Sequence, residues 1–388
     1  MPPAVIDVRT ADDVRDVVHR AVQALAEGQL VAFPTETVYG LAASALNKRA
    51  VASLVQAKGR AADHPLTLAI RSADDALDFV PDMSSLARRL ARRCWPGPIT
   101  LVLDAEHPES LLGQLPDAVR GALSPRGTLG LRVPAHYLIA DVLKLTAGPL
   151  VLSSANRTGA PDAVTADQVV EQLGDDVHLV LDDGQSQYGQ PSSVVWVGPK
   201  RLQVLRSGVV SDASLRYLAS FMVLIVCTGN TCRSPMAEAL LRAHAAEKLG
   251  CLPDDVERRG VIIASAGIAA MTGGRPTPEA IAVMADRGLD LSGHESQPVT
   301  ERLVRQADYI LAMTRSHREA IAVQWPNAAE RTRVLCRNGS DISDPIGGSK
   351  ELYAQCADQI DEQLRQYVAE WDLEFDFANA DGPQKERA

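Results

Sequence analysis

The chain has 388 residues, with 46% hydrophobic and 23% charged side chains and a formal net charge of −10. That length exceeds one ordinary hydrophobic core and predicts two or three domains. The balance is acidic throughout, −3 over residues 1–208 (20 basic, 23 acidic) and −7 over the rest (19 basic, 26 acidic), which excludes general nucleic-acid binding but not a local basic groove. No apolar run approaches the roughly 18 residues that span a bilayer, and the start lacks a basic and an apolar signal region, so the cytoplasm is expected. Six cysteines without framework spacing fit a reducing compartment. No metal ligation by protein side chains is expected, because no CxxC pair or metal-spaced histidine cluster occurs.

Taken in chain order, Thr10 is expected to cap a helix with Val14, Val17, Val18, Ala21, Val22 and Leu25 on one side, ended near Gly28. A short strand, residues 30–33, runs into Pro34, and Thr35, Glu36, Thr37 and Tyr39 then crowd polar side chains into one turn before Gly40. A helix over residues 47–57 leads to Lys58 and Arg60, cations that suit a polyphosphate or, as simply, the negative end of the helix dipole. RSADDALDF and SSLARRLARRCW read as amphipathic helices, with Arg88, Arg89, Arg92 and Arg93 mainly a solvated stripe. Strands follow in WPGPITLVL, LGLRVPAH and PLVLSSAN. The last delivers Ser153, Ser154 and Asn156 at its C-terminal end, where open α/β sheets bind ligands. Late strands in PSSVVWV and RLQVLRSG place Ser192, Ser193 and Arg206 near their ends.

PTETVYGLA, KGR, WPGPIT, GLRVP, SSAN, PSSVV and LRSG stand in the order shown by the YrdC/Sua5 family of threonylcarbamoyl-AMP synthases, which residues 8–208 resemble. The resemblance implies a twisted open α/β sheet. It also implies synthesis of L-threonylcarbamoyladenylate from L-threonine, bicarbonate and ATP, with release of pyrophosphate, for tRNA threonylcarbamoyladenosine modification by a separate transferase complex. By motif position, Thr37, Arg132, Ser154 and Ser192 are implied L-threonine ligands, and Lys58, Arg60, His64, Asn156 and Arg206 implied ATP ligands. Magnesium is expected with ATP; direct tRNA binding and membrane binding are not. His64 stands where many members have Asn, Ala69 where longer ones have His, and Val164 and Ser193 where Thr is usual. Those departures bear on threonine affinity and nucleotide contacts. A rival reading makes this half a non-catalytic RNA-binding module.

Residues 209–220 read as a linker. From 221 to 374 a second domain is expected, a flavodoxin-like four-stranded parallel sheet, with strands near 223–226, 261–265, 309–312 and 332–335. Helices are expected over 234–249, 278–287 and 350–371, and residues 375–388 are expected to be a disordered tail. The first strand ends at Cys227, and Ser234 with Pro235 opens a helix, so loop N–H groups and the helix dipole converge on one anion site. Such a field beside a cation lowers a thiol pKa to roughly 3.5 to 7.5, which would make Cys227 a nucleophile. Arg233 offers a planar fork for two phosphoryl oxygens, Gly229 permits the turn, Asn230 can brace the loop, and Ser234 can hydrogen-bond the sulfur. Cys232 can pair reversibly with Cys227 or simply pack.

The loop Cys227, Thr228, Gly229, Asn230, Thr231, Cys232, Arg233, Ser234 resembles that of the low-molecular-weight protein phosphatases, and SAG (265–267), ADYILAMT (307–314) and DPIGGS (344–349) resemble its later motifs in order. The resemblance implies catalysis through phospho-Cys227, with Asp344 as general acid and no cofactor. Thr231 replaces the aliphatic residue of tyrosine-directed members, and DPIGGS lacks aromatic residues that would stack on a phenyl ring. Both features make phosphoarginine on phosphorylated proteins the preferred substrate, with phosphotyrosine the alternative. A binding pocket without turnover is a further rival.

Overall fold

The computed structural model describes residues 2–59 and 64–378 and divides into two units, one running through Leu215 and including the segment from Asp376, the other Arg216–Phe375. Arg60, and residues 379–388 of the expected tail, lie outside the described residues.

The first unit is built on β1 (Ala4–Asp7), β2 (Val31–Phe33), β3 (Gly40–Ser44), β4 (Thr67–Ala69), β5 (Ile99–Asp104), β6 (Thr128–Arg132), β7 (Leu150–Ser154), β8 (Leu179–Asp182), β9 (Ser193–Val197) and β10 (Arg201–Arg206). They lie side by side in the order β1-β8-β2-β3-β7-β4-β6-β5-β9-β10, with parallel and antiparallel pairs mixed. Helices Val14–Ala26 and Tyr137–Leu145 pack on this sheet. Val17, Val18, Ala21 and Leu25 meet Leu138, Ile139 and Val142 over Val31, Phe33, Leu150 and Leu152, all buried. The first helix is capped by Asp13, whose carboxylate accepts from the Arg15 N–H at 2.9 Å, and not by Thr10, which sits in a preceding 3₁₀ turn. Asn47 caps Lys48–Lys58, and Gly59 closes that helix at φ 58°.

Two readings of local sequence need correction. RSADDALDF yields only the four-residue helix Ala76–Phe79. In Ser85–Cys94, Arg89 is 8% exposed rather than solvated, because it follows Leu86 by three residues and shares that residue's buried face.

In the second unit, β11 (Phe221–Cys227), β12 (Val261–Gly267), β13 (Tyr309–Ala312) and β14 (Thr332–Val334) form an all-parallel sheet in the order β12-β11-β13-β14. Every residue of β11 is buried, the signature of a strand covered on both faces. The helices Arg233–Leu249, Pro278–Ala285 and Lys350–Glu370 supply one cover, packing Met236, Leu240, Met284, Tyr353, Ile360 and Leu364 against Val223 and Ile225. Val304, Ile321 and Ala328 cover the opposite face at Leu224 and Val226.

Residues 209–220 are not a bare linker. Asp212–Ala219 is helical, with Leu215 and Ala219 fully buried one turn apart. Nor is the tail disordered from 375: β15 (Asp376–Ala378) pairs in parallel with β10 and makes the first unit's sheet eleven-stranded. A three-residue strand needs no core of its own, because a sheet edge supplies its backbone partners; Asp376 N–H donates to Lys200 O at 2.8 Å. Among the described residues no helix is long and apolar enough to cross a membrane.

Candidate active sites

The second unit's site begins where β11 stops. Cys227 is its last residue, and the helix from Arg233 starts five residues after the loop opens, with no side chain capping its first turn. Asn230 takes φ 56°, a left-handed turn that asparagine tolerates better than most residues. Its main-chain N–H points at Cys227 Sγ, 3.2 Å away. Its Nδ2 donates to Ser234 Oγ (2.9 Å) and Ser265 Oγ (2.8 Å), while Oδ1 accepts from Gln297 N–H at 2.9 Å. Ser234 Oγ accepts that bond and lies 2.9 Å from Cys227 Sγ, where either atom can donate to a neutral thiol and only the hydroxyl can donate to a thiolate. A thiolate at Cys227 would therefore receive two donors. Ser265 passes its own proton to Glu238 Oε2 at 2.7 Å, so the bracing chain ends on a carboxylate.

Arg233 is 5% exposed. Its Nη1 donates to Ile342 O (3.1 Å), and its Nη2 contacts the Asp344 carboxylate and Thr228 Oγ1 (3.5 Å). Asp344 is partly open to solvent and also accepts from the Ile346 N–H at 3.2 Å. The structure thus brings a thiol, a buried guanidinium and an accessible carboxyl to one loop mouth. Cys232 is a free thiol packed against Thr277 Oγ1 (3.6 Å) and Tyr353 Oη (3.5 Å). Gly229 and Thr231 are half-buried in the same loop. His317 escaped the sequence reading although its Nε2 lies 2.9 Å from Thr228 Oγ1. Burial, with Arg233 adding to it against Asp344 and Asp341, lowers its pKa to about 4.

In the first unit, a cavity of about 380 Å³ opens over the sheet between β3, β4, β5, β6, β7, the start of β9 and the end of β10. His64, Arg132, Ser154, Ser192 and Arg206 line it together with Thr35, Tyr39, Thr67 and Ser153. Thr37 is fully buried behind Arg132, whose Nη2 donates to Thr37 Oγ1 and to Glu36 Oε1, both at 2.8 Å. Glu36 Oε2 accepts from the Ala135 N–H at 3.0 Å, so this carboxylate fixes the guanidinium from behind. Arg206 donates to Ser192 O (2.9 Å) and Ser192 Oγ (3.2 Å). Burial pulls its pKa below the usual value, with Asp162 opposing and the Arg132 charge adding to the fall. A buried guanidinium, Arg132, and a more open one, Arg206, on one cavity make it a site for anions.

Lys58 is 3% exposed and does not line the cavity. Its ammonium donates to Ser154 O (2.7 Å) and Asn156 Oδ1 (2.9 Å) and contacts Asn156 O, which fastens the end of β7. Asn156 Nδ2 in turn donates to Ala160 O at 2.7 Å. Lys58 and Asn156 are therefore gathered behind Ser154 rather than at the cavity wall. Glu36 was legible only as one more polar residue of its turn.

The Sua5/YciO/YrdC family model, described as telomere recombination, matches residues 23–208, and the low molecular weight phosphotyrosine protein phosphatase model matches residues 222–376. The threonylcarbamoyl-AMP synthase of Pyrococcus abyssi is 39% identical over 44% of this chain and 47% of its own length, so the chain spans about half of that relative. A Mycobacterium tuberculosis relative assigned to the same synthase group is 41% identical over 49% of this chain and 83% of its own. The protein-arginine-phosphatase of Bacillus subtilis is 41% identical over 37% of this chain and 92% of its own. A solved structure of a double-alanine variant of P. abyssi Sua5 superposes with a TM-score of 0.50 at 25% identity, over 80% of this chain and 98% of that one.

Proposed function

Because the chain belongs in its first half to the Sua5/YrdC family of threonylcarbamoyl-AMP synthases and in its second to the low-molecular-weight phosphotyrosine protein phosphatases, we propose that it is a bifunctional enzyme. The first unit makes L-threonylcarbamoyladenylate from L-threonine, bicarbonate and ATP and releases pyrophosphate. The second hydrolyses protein phosphoarginine.

The observation that carries the hydrolase reading is the convergence of the Asn230 N–H and the Ser234 hydroxyl on Cys227 Sγ beside the Arg233 and Asp344 pair. The sulfur attacks phosphorus, the P–N bond to the guanidino group breaks, and Asp344 gives its proton to the leaving nitrogen. Arg233 and the loop N–H groups hold the transferring oxygens. Asp344 then takes a proton from water, whose oxygen attacks phosphorus, and the P–S bond breaks to return the thiolate and release phosphate. In the structure the Asp344 carboxylate stands on the guanidinium where a phosphoryl oxygen would bind, so substrate must displace it. Thr231 and the name of the B. subtilis relative favour phosphoarginine over phosphotyrosine.

For the first unit the reading rests on Arg132 and Arg206 facing one cavity with Ser154 and Ser192. The amine of threonine and bicarbonate form a carbamate with loss of water. A carbamate oxygen then attacks the α-phosphorus of ATP, and pyrophosphate departs. The cations neutralise carboxylate and phosphates without a covalent nucleophile. The cavity wall presents guanidiniums and hydroxyls rather than carboxylates, so magnesium would enter as the nucleotide's own counter-ion.

The test is made on the full chain. Pyrophosphate release must require both threonine and bicarbonate; salt-sensitive RNA binding without it would favour the RNA-module rival. Phosphoarginine peptides must turn over faster than phosphotyrosine peptides, and equal or faster phosphotyrosine turnover overturns the arginine assignment. A phosphoenzyme trapped on Cys227, and absent in Cys227→Ser, separates a phosphatase from a pocket that only binds.

A further inference from the structure

Thr228 stands exposed at the mouth of the Cys227 loop, with His317 Nε2 2.9 Å and Arg233 Nη2 3.5 Å from its Oγ1. The histidine is 4% exposed, and its Nδ1 is buried without a hydrogen-bond partner. With its pKa lowered to about 4 by burial and by Arg233, the ring is neutral at pH 7. A neutral imidazole carries one N–H and one lone pair. An orphaned buried N–H is rarer than an under-satisfied acceptor, so the hydrogen-bond network assigns the proton to Nε2, the nitrogen that has a neighbour. His317 then donates to Thr228, and Arg233, which has no lone pair to offer, donates to it as well.

Both lone pairs of the Thr228 hydroxyl are thereby used. Its own proton has no acceptor among the described residues. The Asp344 carboxylate oxygen on the same Arg233 Nη2 marks the side of the guanidinium where an oxyanion sits.

We propose that Thr228 is a catalytic residue of the second unit, its hydroxyl held as an obligate donor to an equatorial phosphoryl oxygen by His317, a positioning residue. The inference rests on the phosphatase reading of the Cys227 loop. It adds one side-chain donor to the loop's main-chain N–H groups, and that donor gains strength as charge accumulates on the transferring group.

Full-length wild type, Thr228→Val, Thr228→Ser, His317→Leu, His317→Gln and the Thr228→Val/His317→Leu double variant are compared on p-nitrophenyl phosphate and a phosphoarginine peptide. Vanadate inhibition is measured alongside as a readout of oxyanion affinity. Thr228→Val is expected to lower kcat and vanadate affinity together by about 10-fold to 100-fold, the range of one hydrogen bond to a charged group, with KM little changed. Thr228→Ser retains activity. His317→Leu shows part of the loss, His317→Gln restores it through its amide donor, and the double variant is no worse than Thr228→Val.

Wild-type kcat and vanadate affinity in a folded Thr228→Val, or losses that multiply in the double variant, overturn the proposal. Loss of activity in Thr228→Ser equal to that in Thr228→Val also overturns it, because the hydroxyl would then not be the part that matters. A wild-type chain that hydrolyses neither substrate and forms no phosphoenzyme overturns the phosphatase reading itself, an outcome distinct from an active enzyme indifferent to Thr228.

Discussion

Asn230 holds the nucleophile loop in two ways, by a left-handed backbone and by an amide that reaches Ser234, Ser265 and Gln297 N–H. Asn230→Gly keeps the backbone and loses the amide; Asn230→Ala loses both and adds roughly 1–2 kcal/mol of left-handed strain. Thermal unfolding should therefore rank wild type above Asn230→Gly above Asn230→Ala, with phosphatase kcat falling in both variants. Glu36 plays a comparable part for Arg132. Glu36→Gln should raise the threonine KM by about tenfold with a smaller effect on ATP, because a desolvated guanidinium loses its fixing charge; equal KM values in both enzymes would show that the carboxylate only fills space. His317 gives a pH signature. Its folded pKa, about 4 against an ordinary 6.5, means the unfolded chain takes up the proton first, so acidification from 6.5 towards 4 destabilises the fold and nothing is contributed above 6.5. Arg233, Asp344 and Asp341 face it, and only Arg233 pushes in the same direction as burial. The melting temperature of wild type should fall more steeply across that window than that of His317→Gln. At this scale, legibility followed sequence distance. Cys227, Asn230, Arg233 and Ser234 lie within one octapeptide and announce a phosphate cradle, whereas Glu36 meets Arg132 across 96 residues and His317 meets Thr228 across 89, with no local spacing to reveal either pair.

β12 illustrates why an element is needed where it ends. Gly267 closes that strand, and a Cβ there would collide with Thr228 O and stand 3.0 Å from Asn230 N. The strand terminus and the nucleophile loop touch only because the side chain is missing. Gly267→Ala should cost phosphatase activity far more than the activity of the first unit, read as kcat against the threonine-dependent release of pyrophosphate; undiminished kcat would show that the loop yields without harm. Apolar runs made β11 and the strand at Tyr309 readable, and heptad-like spacing made Val14–Ala26 readable to within its cap. What failed was decided by burial elsewhere. Asp13 and not Thr10 begins the first helix, since the chain turns into 3₁₀ geometry at Val8–Thr10, and Arg89 is buried by the direction its helix faces.

For the molecule as a whole, length and motif order mark two families in one chain but misplace the seams. The helix Asp212–Ala219 fills the expected linker, and β15 carries the end of the described chain back to the first unit's sheet. Hydrophobic patterning could not show this, because a three-residue edge strand is held by backbone bonds rather than by its composition. Ending the chain at Phe375 should lower the melting temperature of the first unit while leaving phosphatase kcat intact; an unchanged first transition would show that β15 contributes nothing there. The return of β15 also means that the polypeptide crosses from one unit to the other twice, at Leu215 to Arg216 and at Phe375 to Asp376. A protease that cuts the first crossing frees residues 1–215 from 216–388 except for the backbone pairing of β15 with β10, whereas a cut at the second leaves both sites on one polypeptide and releases only the terminal segment.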